Sequence, residues 1–441
     1  MRACCCSASA RVSDAIIRFY ADGMPGSQKA SSQTTPDVTT AAQAVAAWSA
    51  ATYAAGSLAL IPYARVPAGW FVVVLSGLAI TALVAARIDR AHRWDRVTLW
   101  PLLAWLTVMA LSIAQSPWHE LALSRARTAP LFGLMFVAIQ LASWRPRALR
   151  TVIWSGVLAM LVMVADLIMA RWFGWTLITQ VAVRDSVRAA ASQGNPNDFA
   201  AVSVLIPLGM LLFSARWMLL CHACASVAGS FAWILTAGRQ ALLGWMVATL
   251  APLAPRLRLR TYLLACTVVV VAVVATLLLH AGLRARVQET IAQGLGIREQ
   301  LIAVGMTAWW KRPWLGNGPF VFAELYRQYA ESGWVWRGQA LRNVGMPWAH
   351  CLPVEILCEL GVLGALVMGG VVAAGITRIR SGLANTGLRR EQALVAGSML
   401  ATIAVMGLVD LTFLKDWVKC LFWLAIGLAW VSGVRDDAAR E

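Results

Sequence analysis

Twelve largely apolar segments run in series along this chain, and they limit its possible folds more than any other feature. They fall near residues 43–62, 67–86, 97–114, 128–143, 148–170, 199–214, 217–236, 240–254, 261–281, 350–375, 392–413 and 417–434. Most approach the roughly 20 apolar residues that a helix needs to cross a bilayer. The chain is 59% hydrophobic and only 13% charged, far more apolar than a water-soluble core requires. The expectation is an all-α, polytopic membrane protein of about 12 transmembrane helices. Residues 1–40, polar and rich in Ser, Thr and Ala, have no signal-peptide apolar core and read as a disordered tail. Helices 1–9 then occupy 41–281, a long loop 282–349, helices 10–12 the span 350–434, and a short tail 435–441.

The net charge is +17, nearly all of it arginine. In a soluble protein that excess would point to nucleic acid, but no nucleic-acid motif is present and the arginines cluster in the gaps between apolar runs. Topology is therefore the first explanation. With both termini in the cytoplasm, the inner loops hold Arg87, Arg90, Arg93 and Arg96, then Arg145, Arg147 and Arg150, then Arg216, then Arg256, Arg258 and Arg260, then Arg378, Arg380, Arg389 and Arg390. Short outer loops hold only Arg65, Arg125, Arg127, Arg239 and Lys415. Two outer segments are long. Residues 171–198 carry Arg171, Arg184 and Arg188, and residues 282–349 carry eight cations against four glutamates. Long loops translocate whatever their charge, yet a basic outer face also suits an anionic ligand. Asp166 and Asp410 are the main intramembrane charges that a transporter would need. No internal repeat supports that class. Of the nine cysteines, Cys221 and Cys224 flank His222, and without a second ligand pair they read as helix packing.

Four blocks carry chemistry. Gly194-Asn-Pro-Asn-Asp198 reads as a turn entering a helix N-cap, where free N–H groups near Arg184 and Arg188 suit an anion. Thr236-Ala-Gly-Arg239, followed by Ala241-Leu-Leu-Gly244, is a tight outer turn. Its lone Arg239 is either a snorkelling anchor or a bidentate phosphate partner. Within the long loop, Ile297, Leu301, Val304 and Ala308 form an apolar stripe, so 298–310 is expected to be helical, ending at Pro313. Gly316-Asn-Gly-Pro319 then makes a turn, and six tryptophans from Trp309 to Trp348 are expected against the bilayer interface. Finally His350 stands where the loop re-enters the membrane, with Glu355 and Glu359 one helical face further in. Ionisable groups at such a mouth are functional candidates, although interfacial anchoring would also place them there.

In this order, the 194–198 block, the 236–244 turn, Arg312-Pro-Trp-Leu-Gly-Asn-Gly-Pro-Phe320 and Ala349-His350 leading to Glu355 and Glu359 resemble the O-antigen ligase and O-antigen polymerase-related superfamily, over roughly residues 195–370. The resemblance implies a glycosyltransferase of the bacterial inner membrane with a large periplasmic loop between helices 9 and 10. Such enzymes move a glycan from undecaprenyl pyrophosphate to an acceptor hydroxyl, commonly on lipid A–core. It implies that His350 and Arg239 are catalytic. Family members usually have Asn after the histidine, and here Cys351 replaces it.

The residues suit that chemistry. A polyprenyl pyrophosphate leaving group gains charge that fixed arginines stabilise, and a histidine can take the proton of the attacking hydroxyl. Arg184, Arg188, Asn197, Arg312 and Glu355 are the expected contacts to pyrophosphate or glycan. No acidic cluster of the Asp-x-Asp kind lies on the outer face, so neither a metal nor another cofactor is expected, and no nucleic-acid partner. A glycan polymerase and a protein O-oligosaccharyltransferase share the chemistry and differ in acceptor. A polysaccharide flippase is the alternative from another class.

Overall fold

The described residues are mostly helical with almost no strand; of the expected segment 67–86 only 77–83 is described, and the rest of it, the tail before residue 38 and the tail 435–441 lie outside the described residues. The structure is a computed structural model, and it describes residues 38–63, 77–83, 97–178, 196–213, 215–281, 283–285, 288, 297–341 and 348–434. Its first unit, Met1–Ala41, is described only at the opening of one helix, and all that follows concerns Ala42–Glu441. In order come α1 (Val38–Ala59), α2 (Trp100–Gln115), α3 (His119–Ala126), α4 (Ala129–Gly133), α5 (Met135–Ala142), α6 (Pro146–Trp172), α7 (Ala200–Leu205), α8 (Ala215–Thr236), α9 (Arg239–Leu250) and α10 (Leu259–Leu279). The loop region contributes α11 (Ile297–Lys311), α12 (Phe322–Glu331) and a hairpin of β1 (Val335–Trp336) and β2 (Gln339–Ala340). The chain ends in α13 (Leu352–Leu383), α14 (Gly387–Gly407) and α15 (Asp416–Ser432).

Among the described residues, five helical stretches are long and apolar enough to cross a membrane: His119–Ala142, Pro146–Trp172, Trp217–Thr236, Leu259–Leu279 and Leu352–Leu383. Helix α10 makes the point most directly. Only Val273 along it is buried, while Leu263, Leu264, Val268, Val271 and Leu278 are exposed. A helix apolar all round with its flanks open needs a hydrocarbon solvent. By contrast α15 is buried along nearly its whole length, packed by α14, α13 and α5.

Three expected segments differ in detail. The run 128–143 is broken into α4 and α5 at Leu134. The run 199–214 is only six residues of α-helix, α7, followed by 3₁₀ turns over Ile206–Leu211, where Pro207 cannot donate to an α-helical ladder. The run 392–413 ends as helix at Gly407, and Asp410 lies in the loop 408–415 beyond it.

The long loop folds on itself. In α11 the expected stripe is present, with Leu301, Val304 and Ala308 buried. In α12 Phe322, Leu325, Tyr326 and Tyr329 line one face and are buried against it. Each such side chain contributes about 1.5–3 kcal/mol by leaving water. This small core also takes in Val354 and Cys358 of α13, so it is continuous with the helix that follows the loop. The hairpin turns at Arg337 and Gly338, both at positive φ, the geometry that two-residue turns between twisted strands require.

Candidate active site

Helix α13 is broken near its start. Gly361 has φ 67° and ψ −167°, a conformation reserved for glycine. Into the break fits the segment Arg312–Phe320. Val362 and Leu363 donate their N–H groups to the carbonyls of Pro313 and Trp314 at 2.8 and 3.1 Å. Asn317 and Gly318 donate theirs to the carbonyls of Cys358 and Glu359, both at 3.0 Å. The turn expected at 316–319 is thus a plug that satisfies backbone groups left open by the kink. Glu359 completes it. Its carboxylate accepts the N–H groups of Phe320 (2.7 Å) and Phe322 (3.2 Å), while Arg125 donates to the carbonyl of Phe320 at 2.7 Å. From α2, Ser112 and Gln115 donate to the carbonyls of Glu359 and Gly316.

Above this plug the chain returns through Trp348 to His350, whose φ of 55° lies in the left-handed region. That turn aims the imidazole at Asp410. Nδ1 of His350 hydrogen-bonds Oδ1 of Asp410, and Nε1 of Trp348 donates to the same oxygen at 3.2 Å. Asn197 Nδ2 donates to Oδ2 at 2.6 Å, and the Arg298 guanidinium stands 3.6 Å from it. Asp410 is 2% exposed, a buried carboxylate ringed by donors. Burial alone would raise its pKa. The hydrogen bond and charge of His350, with Arg298 and Lys415, outweigh burial and hold it below the ordinary carboxylate range.

Acceptor-only Asp410 fixes the histidine's tautomer. In the neutral ring Nδ1 carries the proton and Nε2 is the basic nitrogen. The imidazole is further braced by the Trp348 ring at 5.0 Å, and the Lys415 ammonium lies 4.5 Å over that same indole. Lys415 also pairs with Asp198. A partly exposed base, oriented by a buried carboxylate and flanked by cations, can accept a proton next to developing negative charge.

His350 and Asn197 meet directly at Asp410. Asn197 sits in a short 3₁₀ turn, Pro196–Phe199, and spends its amide on Asp410 instead of capping a helix. Arg239 opens α9, partly buried. Its neighbour Gln240 donates to the carbonyl of Asn197 at 2.6 Å, which ties the 236–244 turn to the same cluster. Glu355 is buried and accepts a hydrogen bond from Thr412, so it braces the loop that presents Asp410. Arg312 donates to the carbonyl of Gln115 and lines a pocket that includes none of His350, Asp410, Arg298 or Trp348. Arg184 and Arg188 lie outside the described residues, and with them the anion site expected there.

Two participants were not legible beforehand. Arg298 was one of eight loop cations, with nothing local to single it out. In the sequence Asp410 is only a charge in an apolar run. Its isolation was the available signal, but its partner is 60 residues away. Asp166, the other such charge, accepts the N–H groups of Leu177 and Ile178 and closes the turn after α6. The six loop tryptophans also divide. Trp310 and Trp314 are exposed, whereas Trp334 stacks on Trp336 and Trp348 faces His350. Neither a search of protein-family models nor one of curated proteins finds a match to this chain.

Proposed function

We propose that the chain is a polytopic glycan transferase of about twelve transmembrane helices in a bacterial inner membrane, with both termini cytoplasmic, resembling the O-antigen ligases. It moves an oligo- or polysaccharide from undecaprenyl pyrophosphate to an acceptor hydroxyl on the periplasmic face, lipid A–core being the favoured acceptor. The observation that carries this reading is the His350–Asp410 pair with Arg298 beside it, at the mouth of α13.

The step balances simply. The acceptor oxygen attacks the anomeric carbon, the bond from that carbon to the pyrophosphate oxygen breaks, and the hydroxyl proton passes to Nε2 of His350. Asp410 stabilises the imidazolium that forms and keeps Nδ1 as the donor. The pyrophosphate leaves with the electron pair, its charge met by Arg298 and, on this reading, Arg239. Arginines supply the electrostatic role that a divalent metal fills in other transferases.

The test uses purified protein, a lipid-pyrophosphate glycan and lipid A–core in excess chelator. Wild type transfers, and His350→Ala loses on the order of 10²–10⁴ in rate while still unfolding in a cooperative melt, lowered by the loss of one partner of buried Asp410. Normal turnover by His350→Ala would reduce the histidine to an interfacial anchor. Chelator-sensitive transfer restored by magnesium would hand the leaving group to a metal.

A further inference from the structure

The plug that seals the kink in α13 also builds a second concavity. An open pocket of about 340 Å³ lies between the end of α11, the last turns of α12 and the bend between α2 and α3. Its wall carries Lys311, Arg312, Trp118, Gln328 and Tyr329, with buried Asn317 beneath. Among the described residues no carboxylate lines it. The volume falls within the range of small-molecule sites.

We infer that this pocket is a subsite for an anionic sugar, a saccharide ring bearing a phosphate or carboxylate. The inference rests on the glycan-transferase reading and extends it to a distinct place on the molecule. Three features carry it. Among the described residues Arg312 makes one hydrogen bond, to the carbonyl of Gln115 at 2.9 Å, which leaves the rest of its planar fork for an anion. Lys311 stands next to it, 4.8 Å over the Tyr329 ring, a second cation on the same rim. The indole of Trp118 and the ring of Tyr329 are apolar surfaces beside the amide of Gln328. A sugar ring has the matching character, with C–H faces for aromatic walls and hydroxyls for amides. Asn317 spends its amide nitrogen on the carbonyls of Ala308 and Cys358, so the pocket floor is fixed by the same contacts that hold the kink. The site is therefore preformed.

Binding is measured without transfer, by saturation-transfer NMR on full-length protein in nanodiscs of zwitterionic lipid. The probes are glucose 6-phosphate, glucuronate, glucose and inorganic phosphate, and a further arm adds phosphatidylglycerol to the discs. Glucose 6-phosphate or glucuronate should bind saturably and more tightly than glucose or phosphate, and which of the two binds identifies the anion. Arg312→Gln and Lys311→Gln should each weaken that binding about tenfold, equivalent to about 1.4 kcal/mol. Trp118→Ala should weaken glucose 6-phosphate, glucuronate and glucose alike. Melting temperature controls for folding, and exposed Lys311, with no hydrogen bond to lose among the described residues, is the cleaner variant. Equal binding by both lysine and arginine variants and by wild type would overturn the assignment. So would binding no tighter than that of inorganic phosphate, or competition by phosphatidylglycerol alone, which would make the site a lipid-headgroup site. Active transfer without sugar binding rejects the pocket and leaves the enzyme reading intact. Sugar binding with fully active His350→Ala rejects the catalytic reading and leaves the pocket.

Discussion

Replacing Gly361 by alanine should unseat the plug on which the site stands. A Cβ at Gly361 would lie 2.3 Å from both the carbonyl carbon and oxygen of Trp314, and 2.6 Å from the nitrogen of Leu315. These are backbone atoms and cannot rotate aside. The residue's φ of 67° with ψ of −167° adds about 1–3 kcal/mol of strain for any L side chain. Relief requires the 313–318 segment to move off α13, which breaks several of four backbone hydrogen bonds worth about 0.5–1.5 kcal/mol each. The sum is about 3–6 kcal/mol, a large part of the ~5–15 kcal/mol that holds a typical domain folded. The expected drop in melting temperature is on the order of 10 °C. Gly369 is the control. It lies on the same helix with nothing within 4 Å of an added Cβ, so Gly369→Ala should shift stability by no more than about 1 kcal/mol. Intrinsic tryptophan fluorescence of detergent-solubilised protein follows both melts. If Gly361→Ala melts together with Gly369→Ala, the plug does not bear on stability and the reasoning is wrong.

Three further outcomes are open to direct measurement. Asp410→Asn keeps the shape but replaces one acceptor oxygen with an NH2 donor that faces the ring of donors, so it should cost about 1–3 kcal/mol in stability and lose on the order of 10²–10⁴ in transfer rate. Because the folded pKa of Asp410 lies below the ordinary 3.8, the ionic part of the wild-type advantage is full well above pH 3.8 and closes as pH falls through the lower folded value. Paired melts over that range check the sign, and a gap that widened on acidification would refute it. Cys351 occupies the N-cap of α13 without a side-chain cap bond, so Cys351→Asn should raise stability by about 0.5–2 kcal/mol in a thermal melt. A destabilised variant would show that the site needs the smaller, less polar side chain. For orientation, in a cysteine-free background Ala330→Cys should label from outside whole cells and Ala384→Cys should not, and outside labelling at 384 would invert the proposed topology.

The division between local and long-range information follows from physics. Apolar runs, proline breaks and arginine gaps act over a few residues, so helix positions were legible, down to the stripe Leu301, Val304 and Ala308 in a loop. His350 and Asn197 also stood out, because their local blocks are unusual for a membrane chain. What the local pattern could not carry was partnership. Asp410 lies 213 residues from Asn197 and 60 from His350, and no spacing rule connects them. In the sequence Gly361 is one small residue among many in an apolar helix, and only the fold lays Trp314 and Leu315 against it. Glu359 likewise read as a charge at a helix mouth, whereas it holds the N–H groups of Phe320 and Phe322. A buried charge or an open backbone group must find partners wherever the packed chain brings them. The sequence therefore determined that such costly groups exist, and only the tertiary structure decided which of them satisfy one another.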